Sequence, residues 1–402
     1  MKNHQRELKR ILIIHPEGNS FNNPTLKCII DLLIQRGCEI DLRYKSFYAP
    51  MPALDGVKLL PYKKTLSRVK TVLVNKVCVK KLIFLYVLLE KLFLYKNNYD
   101  LIIGVDRQGL IEADMLSKIT STPYVLISFE IMFESETSAR YKSLEREASK
   151  NVALWIVQDK VRAQQLQNEN RLNPAKRYLL PLASAGFGQM ETKRLRDDLG
   201  IPRNKKVAIV IGSISKWSMV GQILMTTKDW SDDWVLIVHE RYGNTYEILK
   251  KECAAIIHEL KDKKIFISDA AIDMVDDMGF ILSGVSIGFA FYEPDFSGPY
   301  TGNNLKYLGL ASGKISTYLR YGVPVILNEI GLYAEEARRF RFGCVVQQPV
   351  QIKEKLDEIY QEEYKNSAME YFSDKLDFNI YRDEIFSRIL SAHRLLANTD
   401  FG

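Results

Sequence analysis

The chain is short of cysteine, of histidine and of long apolar runs, and each scarcity removes a class of function. Its five cysteines, Cys28, Cys38, Cys78, Cys253 and Cys344, are odd in number and scattered, with no CxxC pair. That pattern excludes a disulfide framework and a thiolate zinc site, and it reads as reduced thiols in a cytoplasmic protein. The five histidines include no pair at metal-ligand spacing. No Asp-x-Asp pair is present to hold a divalent ion, and no GxGxxG opens the first helix, so a dinucleotide fingerprint is missing. No segment reaches the roughly 18 apolar residues of a membrane span. Met1 to Arg10 is polar and charged and carries no hydrophobic signal region.

What is present is an alternation of buried strands and helices. At 402 residues the length suits two domains. Arg10–His15 reads as a strand ending in a Gly-containing loop, followed by a helix from Thr25 to Arg36 and a strand from Glu39 to Tyr44. Further strands are expected at Tyr99–Val105, Pro123–Phe129 and Ala153–Val157, with helices at 110–119, 138–149 and 159–168 between and after them. Pro181 to Met190 reads as a linker, after which the alternation restarts with strands at Lys206–Ile211, Trp234–His239, Lys264–Ile267 and Ser286–Phe291. Helices are expected at 245–260 and 273–282, and a largely helical tail from Gln351 to Leu396. Continuous apolar strands alternating with helices predict an α/β protein of two Rossmann-like, doubly wound parallel sheets, with a helical C-terminal tail. The expected division is 1–188, 189–375 and a last helix, 376–402, packing back on the first domain. Ligands of such sheets bind beyond the carboxyl ends of the strands, here in a cleft between two lobes.

The charge is uneven. Between Lys58 and Asn98 stand ten Lys or Arg residues and one acid, Glu90, interleaved with Leu82-Ile-Phe-Leu-Tyr-Val-Leu-Leu89. Such a segment suits either an anionic membrane surface or a core helix with a solvated basic face. No nucleic-acid-binding motif accompanies it.

The most informative stretch runs from Gly309 to Glu329. A short helix opens after Ser312, a good N-cap, and closes at Gly322, with a buried strand directly after it. Lys314 is the odd residue, since a cation in the first turn opposes the helix dipole unless it is solvated or meets an anion. Gly309-Leu-Ala-Ser-Gly-Lys-Ile falls short of a P-loop, with three residues between the glycines and Ile315 where a magnesium ligand belongs. Gly284-Val-Ser-Ile-Gly288 matches GxSxG, but Ser286 runs on into a strand, where no nucleophile turn fits. Three strand ends of the second half then converge on one edge: Gly212-Ser213 with Lys216, His239-Glu240 with Arg241, and Gly313-Lys314. Glycine amides with nearby cations suit a diphosphate.

On Ser286–Phe291, Gly313-Lys-Ile-Ser-Thr-Tyr-Leu-Arg-Tyr-Gly-Val-Pro-Val-Ile326, Glu335-Glu336 and Phe342-Gly-Cys-Val-Val346, the chain resembles the GT-B glycosyltransferases, notably bacterial enzymes of the glycosyltransferase group 1, or family 4-like, type. The resemblance implies transfer of a sugar from a nucleotide-sugar donor, held by the second lobe, to a glycan or lipid-linked acceptor held by the first. No cofactor beyond that co-substrate and no metal is implied. Gly212, Ser213, Lys216, His239, Glu240, Gly313, Lys314 and Thr317 are the implied donor-binding residues, with Lys216 and Lys314 stabilising the leaving diphosphate. Thr317 stands where relatives carry a ribose-binding glutamate, which leaves nucleotide identity open. Asp106 and Glu130, at strand ends of the first lobe, join Lys314 as candidate catalytic groups, and His15, Gly18, Asn19 and Arg107 as candidate acceptor contacts. The expected setting is surface polysaccharide biosynthesis in the cytoplasm, at the inner face of the cell membrane through Lys58–Asn98. Two other readings stay open: a nucleotide-sugar epimerase of the same fold, and a non-catalytic scaffold subunit.

Overall fold

A computed structural model of the chain describes residues 7–17, 23–45, 55–62, 79–95, 97–240, 243–272 and 277–397, with positions 72 and 77 between them. The chain forms two compact units, Met1–Leu180 with Tyr381–Gly402, and Pro181–Ile380.

The first unit is built on seven parallel strands: β1 (Arg10–His15), β2 (Glu39–Tyr44), β3 (Val57–Pro61), β4 (Leu101–Val105), β5 (Tyr124–Ile127), β6 (Leu154–Val157) and β7 (Arg177–Leu179), in the order β3-β2-β1-β4-β5-β6-β7. Ile11 to Ile14 and Leu101 to Ile103 are buried on both faces, as continuous Ile/Leu runs require when helices cover a parallel sheet. The chain leaves β1 toward β3, then returns to pair β4 with β1 and continues the other way. The reversal makes β1/β4 the switch point, where the crevice of a doubly wound sheet opens.

The helix Asp106–Thr120 starts directly off β4 and lies on the backbone of β1 and β4. Two glycines permit this. A Cβ on Gly109 would stand 2.5 Å from the Ile14 carbonyl oxygen, and one on Gly104 would stand 2.6 Å from that of Gly109. The last helix, Phe378–Ala397, carries Asp383 to an ion pair with Arg36 and His393 Nδ1 to within 3.0 Å of the Asp100 carbonyl.

The second unit carries six parallel strands: β8 (Lys206–Ile211), β9 (Trp234–His239), β10 (Ile265–Ser268), β11 (Ile287–Ala290), β12 (Val325–Asn328) and β13 (Gly343–Val346), in the order β10-β9-β8-β11-β12-β13. Its switch point is β8/β11. There the buried Tyr318 reaches between the two strands. Its hydroxyl receives the Ile211 amide at 3.0 Å and donates to the Ile209 carbonyl at 3.1 Å. Gly288 makes the room, since a Cβ there would lie 2.5 Å from the Tyr318 ring.

Both expected parallel sheets are present. β3 and β7 were beyond the pattern, because one is a half-buried edge strand ended by Pro61 and the other has three residues. The helix expected at 245–260 is two, Thr245–Glu252 and Ala254–Leu260, broken where Cys253 leaves helical geometry at φ −133°. Of the helix expected at 273–282, residues 273–276 lie outside the described residues, Asp277 and Met278 are not helical, and Gly279–Leu282 is a short helix. Among the described residues no helix is long and apolar enough to cross a membrane.

Candidate functional site

In the second unit the ends of β8, β11 and β12 come to the helix Gly313–Arg320, and the end of β9 lies beside that of β8. Ser312 caps that helix, accepting the Ile315 amide at 3.1 Å, and its hydroxyl lies 2.6 Å from that of Tyr292, just past β11. Tyr292 is in turn held by Asn328 at the end of β12, whose Oδ1 accepts the Tyr292 amide at 3.0 Å and whose Nδ2 donates to its carbonyl at 2.8 Å. Trp217 stacks on the Tyr292 ring, with centroids 6.0 Å apart and planes 14° apart. The Lys314 ammonium lies 5.4 Å from the same ring's centroid. Lys314 therefore stands on a rigid, capped helix start beside a fixed aromatic pair, and a desolvated cation over a ring is a favourable arrangement.

Gly212 ends β8 in the left-handed region at φ +94°, and a Cβ there would lie 3.6 Å from Lys314 Cε. Its amide is already engaged, donating to the His239 carbonyl at 3.1 Å. The glycine thus supplies space and a turn, where an amide for a phosphate was expected. Ser213 is exposed just past β8, and the exposed Lys216 opens the short 3-10 helix Lys216–Ser218. The Ser297 amide holds the Asp295 carboxyl below its usual range, and Lys216 adds to the effect. His239 and Glu240 are buried at the end of β9, with His239 Nδ1 3.0 Å from Ser268 Oγ and the Glu240 amide donating to Thr245 Oγ1 at 2.9 Å. Thr317 sits half-buried one turn beyond Gly313. Arg241 lies outside the described residues.

In the first unit, the ends of β1, β4 and β5 carry the polar groups. Asp106 is buried in the left-handed conformation at φ +56°, and its Oδ1 accepts the amides of Phe129 at 2.7 Å and Glu130 at 2.9 Å. Those bonds clamp the β5 exit to the start of the helix. Burial pushes the Asp106 carboxyl well above the carboxylate range, with Glu17 adding to the push and the two amides working against it. Glu17 bridges Arg107 Nε at 3.1 Å and accepts the Gln108 amide at 3.4 Å. The Arg107 guanidinium lies 4.7 Å from the Tyr141 ring centroid. Glu130 is different. Its side chain is open to solvent. Desolvation by the surrounding protein pushes its carboxyl up to about 7, with Arg162 opposing and Glu17 adding to the push, and hydration of the exposed side chain works against it. Arg162 is buried, donating to the Phe129 carbonyl and to Gln158 Oε1, each at 2.7 Å.

His15 is buried at the end of β1, and among the described residues its Nδ1 meets no hydrogen-bond partner. Burial drives its pKa down to about 3, so the folded chain holds it neutral. An unfolded histidine titrates near 6.5, so this contribution is complete above that pH and declines as the pH falls toward 3. Between pH 7 and pH 5 the unit should lose about 2 kcal/mol from His15 alone. Urea unfolding at both pH values checks this against His15→Gln, whose stability should fall by that much less. Equal losses in the two proteins would assign the pH dependence elsewhere.

The structure thus brings Gly212, His239, Gly313 and Lys314 to one edge of the second sheet, and His15, Asp106, Arg107 and Glu130 to the corresponding edge of the first. Gly18 and Asn19 lie outside the described residues. Ser286 stands at the opposite edge, before β11, where its amide donates to the Val207 carbonyl at 2.8 Å. Tyr292, Trp217, Asn328, Glu17 and Arg162 were not foreseen. Each is an ordinary residue in sequence, and only Tyr292, placed just after a strand, carried a positional hint.

No protein-family model matches the sequence, and no curated protein matches it. Solved structures do match. A glycosyltransferase from Rickettsia africae superposes with a TM-score of 0.69 at 12% identity, over 97% of this chain and 100% of that one. Sucrose-phosphate synthase from Thermosynechococcus elongatus gives 0.67 at 12% identity, over 94% of this chain and 98% of that one. Anabaena HepE, solved in complex with UDP-glucose, gives 0.63 at 13% identity, over 95% and 99%. At such identities the likeness is one of fold, and the fold of this chain is GT-B.

Proposed function

We propose that the chain is a glycosyltransferase, of the hexosyltransferase kind, which moves a sugar from a nucleotide-sugar donor to a glycan or lipid-linked acceptor. The observation that carries this reading is Lys314, presented by a capped helix start beside Gly212 and Tyr292 at the switch point of the second sheet. That is where an α/β sheet binds ligands, and a cation at helix amides suits a leaving diphosphate. HepE, of the same fold, was solved with UDP-glucose. In this reading Lys314 and Lys216 neutralise the departing diphosphate, with no metal called for, and Ser213 and Gly313 supply amides. The stacked Trp217 and Tyr292 flank the Lys314 ammonium. Glu130, exposed and raised, is the general base if the reaction inverts, while Asp106 positions its loop. Incubation with UDP-, GDP-, dTDP- and CMP-sugars, with and without glycan or lipid acceptors, tests the reading through its products. Transfer that requires acceptor is expected. An epimer formed without acceptor would make it an epimerase, and no stabilisation by any of the four nucleotides would make it a scaffold.

The setting follows from the helix Lys80–Phe93. Ile83, Val87 and Glu90 face inward, where Glu90 forms a buried ion pair with Arg43 of β2. That pair fixes the helix's rotation and leaves Leu82, Leu85, Leu89, Leu92 and Phe93 exposed on the outer side. An exposed leucine stripe in a segment with ten cations against one acid suits the anionic inner face of a cell membrane. We therefore read the acceptor as presented there, in the biosynthesis of a surface polysaccharide. Leu85→Asp with Leu89→Asp should lower binding to anionic vesicles at least tenfold and leave the unfolding midpoint in place. Undiminished vesicle binding would remove the membrane from this reading.

A further inference from the structure

A cavity lies in the second unit, at the edge of its sheet opposite Lys314. Its volume is about 550 Å³, the size of a small-molecule site. It is placed where β8, β11 and β12 begin, at Lys206, Ser286 and Pro324, not where they end. Its lining carries five cations, Arg196, Arg203, Lys205, Lys206 and Lys365, against one carboxylate, Glu362.

Arg196 is the unusual member. It is 8% exposed, and its guanidinium donates only to backbone carbonyls: Pro202 at 2.8 Å, Lys205 at 3.1 Å, Gly284 at 3.3 Å and Arg203 at 3.5 Å. Its Nε is buried and, among the described residues, meets no acceptor. No carboxylate pairs with it among those residues. The neighbouring Asp197 is turned to Arg194 at 2.7 Å. A buried guanidinium whose neighbouring acid, Asp197, acts on it only through space is costly, and an anion in the cavity would offset that cost. Three other cations are partly compensated: Lys206 by Asp357 at 2.8 Å, Lys365 by Glu362 at 3.2 Å, and Lys205 by the Asp232 carbonyl. Arg203 is exposed at the cavity and forms no ion pair among the described residues.

We propose that this cavity is a second ligand site, which takes a small molecule bearing one or two phosphates, with Arg196 and Arg203 as its principal anion contacts. The wall Tyr321-Gly322-Val323 directly joins the helix Gly313–Arg320 to β12, so the ligand sits against the segment that carries Lys314. Nothing in this inference depends on glycosyl transfer.

The test is calorimetric titration of the full chain with inorganic pyrophosphate, in a Lys314→Ala background that disables the strand-end site. Saturable binding at one site is expected, weakened at least tenfold by Arg203→Ala with Lys205→Ala. The equal charge change Lys250→Ala with Lys251→Ala, on the exposed helix Thr245–Glu252, should leave it within threefold. Should the double variant unfold, Arg203→Glu alone touches no internal bond and should abolish binding. Absence of saturable binding, a loss below tenfold with the cavity variants, or an equal loss with the control overturns the proposal.

Discussion

Replacing Lys314 by Ala should lower donor turnover by about 100-fold or more, on the order of 3 kcal/mol of transition-state stabilisation. The size follows from what the ammonium does. As the bond to the sugar breaks, negative charge builds on the diphosphate, and a lysine fixed beside it gains interaction in the transition state that the ground state lacks. Lys314 is held for this: its helix start is capped by Ser312, which Tyr292 contacts, and Gly212 keeps the space beside Lys314 Cε clear. The same change should not weaken the fold. A first-turn cation opposes the helix dipole, and Ala is the better helix former, so the melting temperature should hold or rise slightly. Loss of activity with retained stability is thus the signature. A change below threefold would leave Lys314 with no part in turnover and remove the central support of the proposed function. Lys314→Arg, which keeps the charge and misplaces it, should recover part of the rate.

Gly109→Val should destabilise the first unit by about 3 kcal/mol or more, because overpacking here meets backbone instead of a movable side chain. The new Cβ would start 2.5 Å from the Ile14 carbonyl oxygen and 3.2 Å from the Gly104 carbonyl carbon. Relief requires lifting the helix Asp106–Thr120 off β1 and β4, which would draw Asp106 away from the amides of Phe129 and Glu130. Chemical unfolding should show a large fall in midpoint, or no cooperative transition. Gly313→Ala provides the contrast. Its Cβ would meet only Leu182 Cδ2 at 3.6 Å, an ordinary contact, so stability should change by less than about 1 kcal/mol. A Gly109→Val protein as stable as the parent would show that the close approach of helix and sheet is not required.

The same glycines mark how far sequence reasoning reaches. β1, β2, β8 and β9 stand at the residues expected, because continuous Ile, Leu and Val runs between turn residues have few alternatives to a strand buried on both faces. The helix with Ser312 as its cap was equally legible, since a cap acts on amides three residues away. GxSxG shows the limit of a short pattern. Its second glycine exists to admit the Tyr318 ring, a contact with a residue on another element that no spacing within the motif encodes.

By itself, then, the sequence determined the two parallel sheets, the strand ends that carry Gly212, His239, Asp106 and Glu130, and the capped helix that carries Lys314, because these rest on local periodicity and capping. Tertiary structure decided the rest. It engaged the Gly212 amide with His239, set Asp106 to clamping the exit of β5, stacked Trp217 on Tyr292, and turned the leucines of Lys80–Phe93 outward through the Arg43–Glu90 pair. It also brought Lys365 from a distant part of the chain to the cavity that Arg196 and Arg203 line. Each of these depends on which strands become neighbours and on how closely two backbones approach, and such long-range contacts leave no periodic trace in the residues that make them.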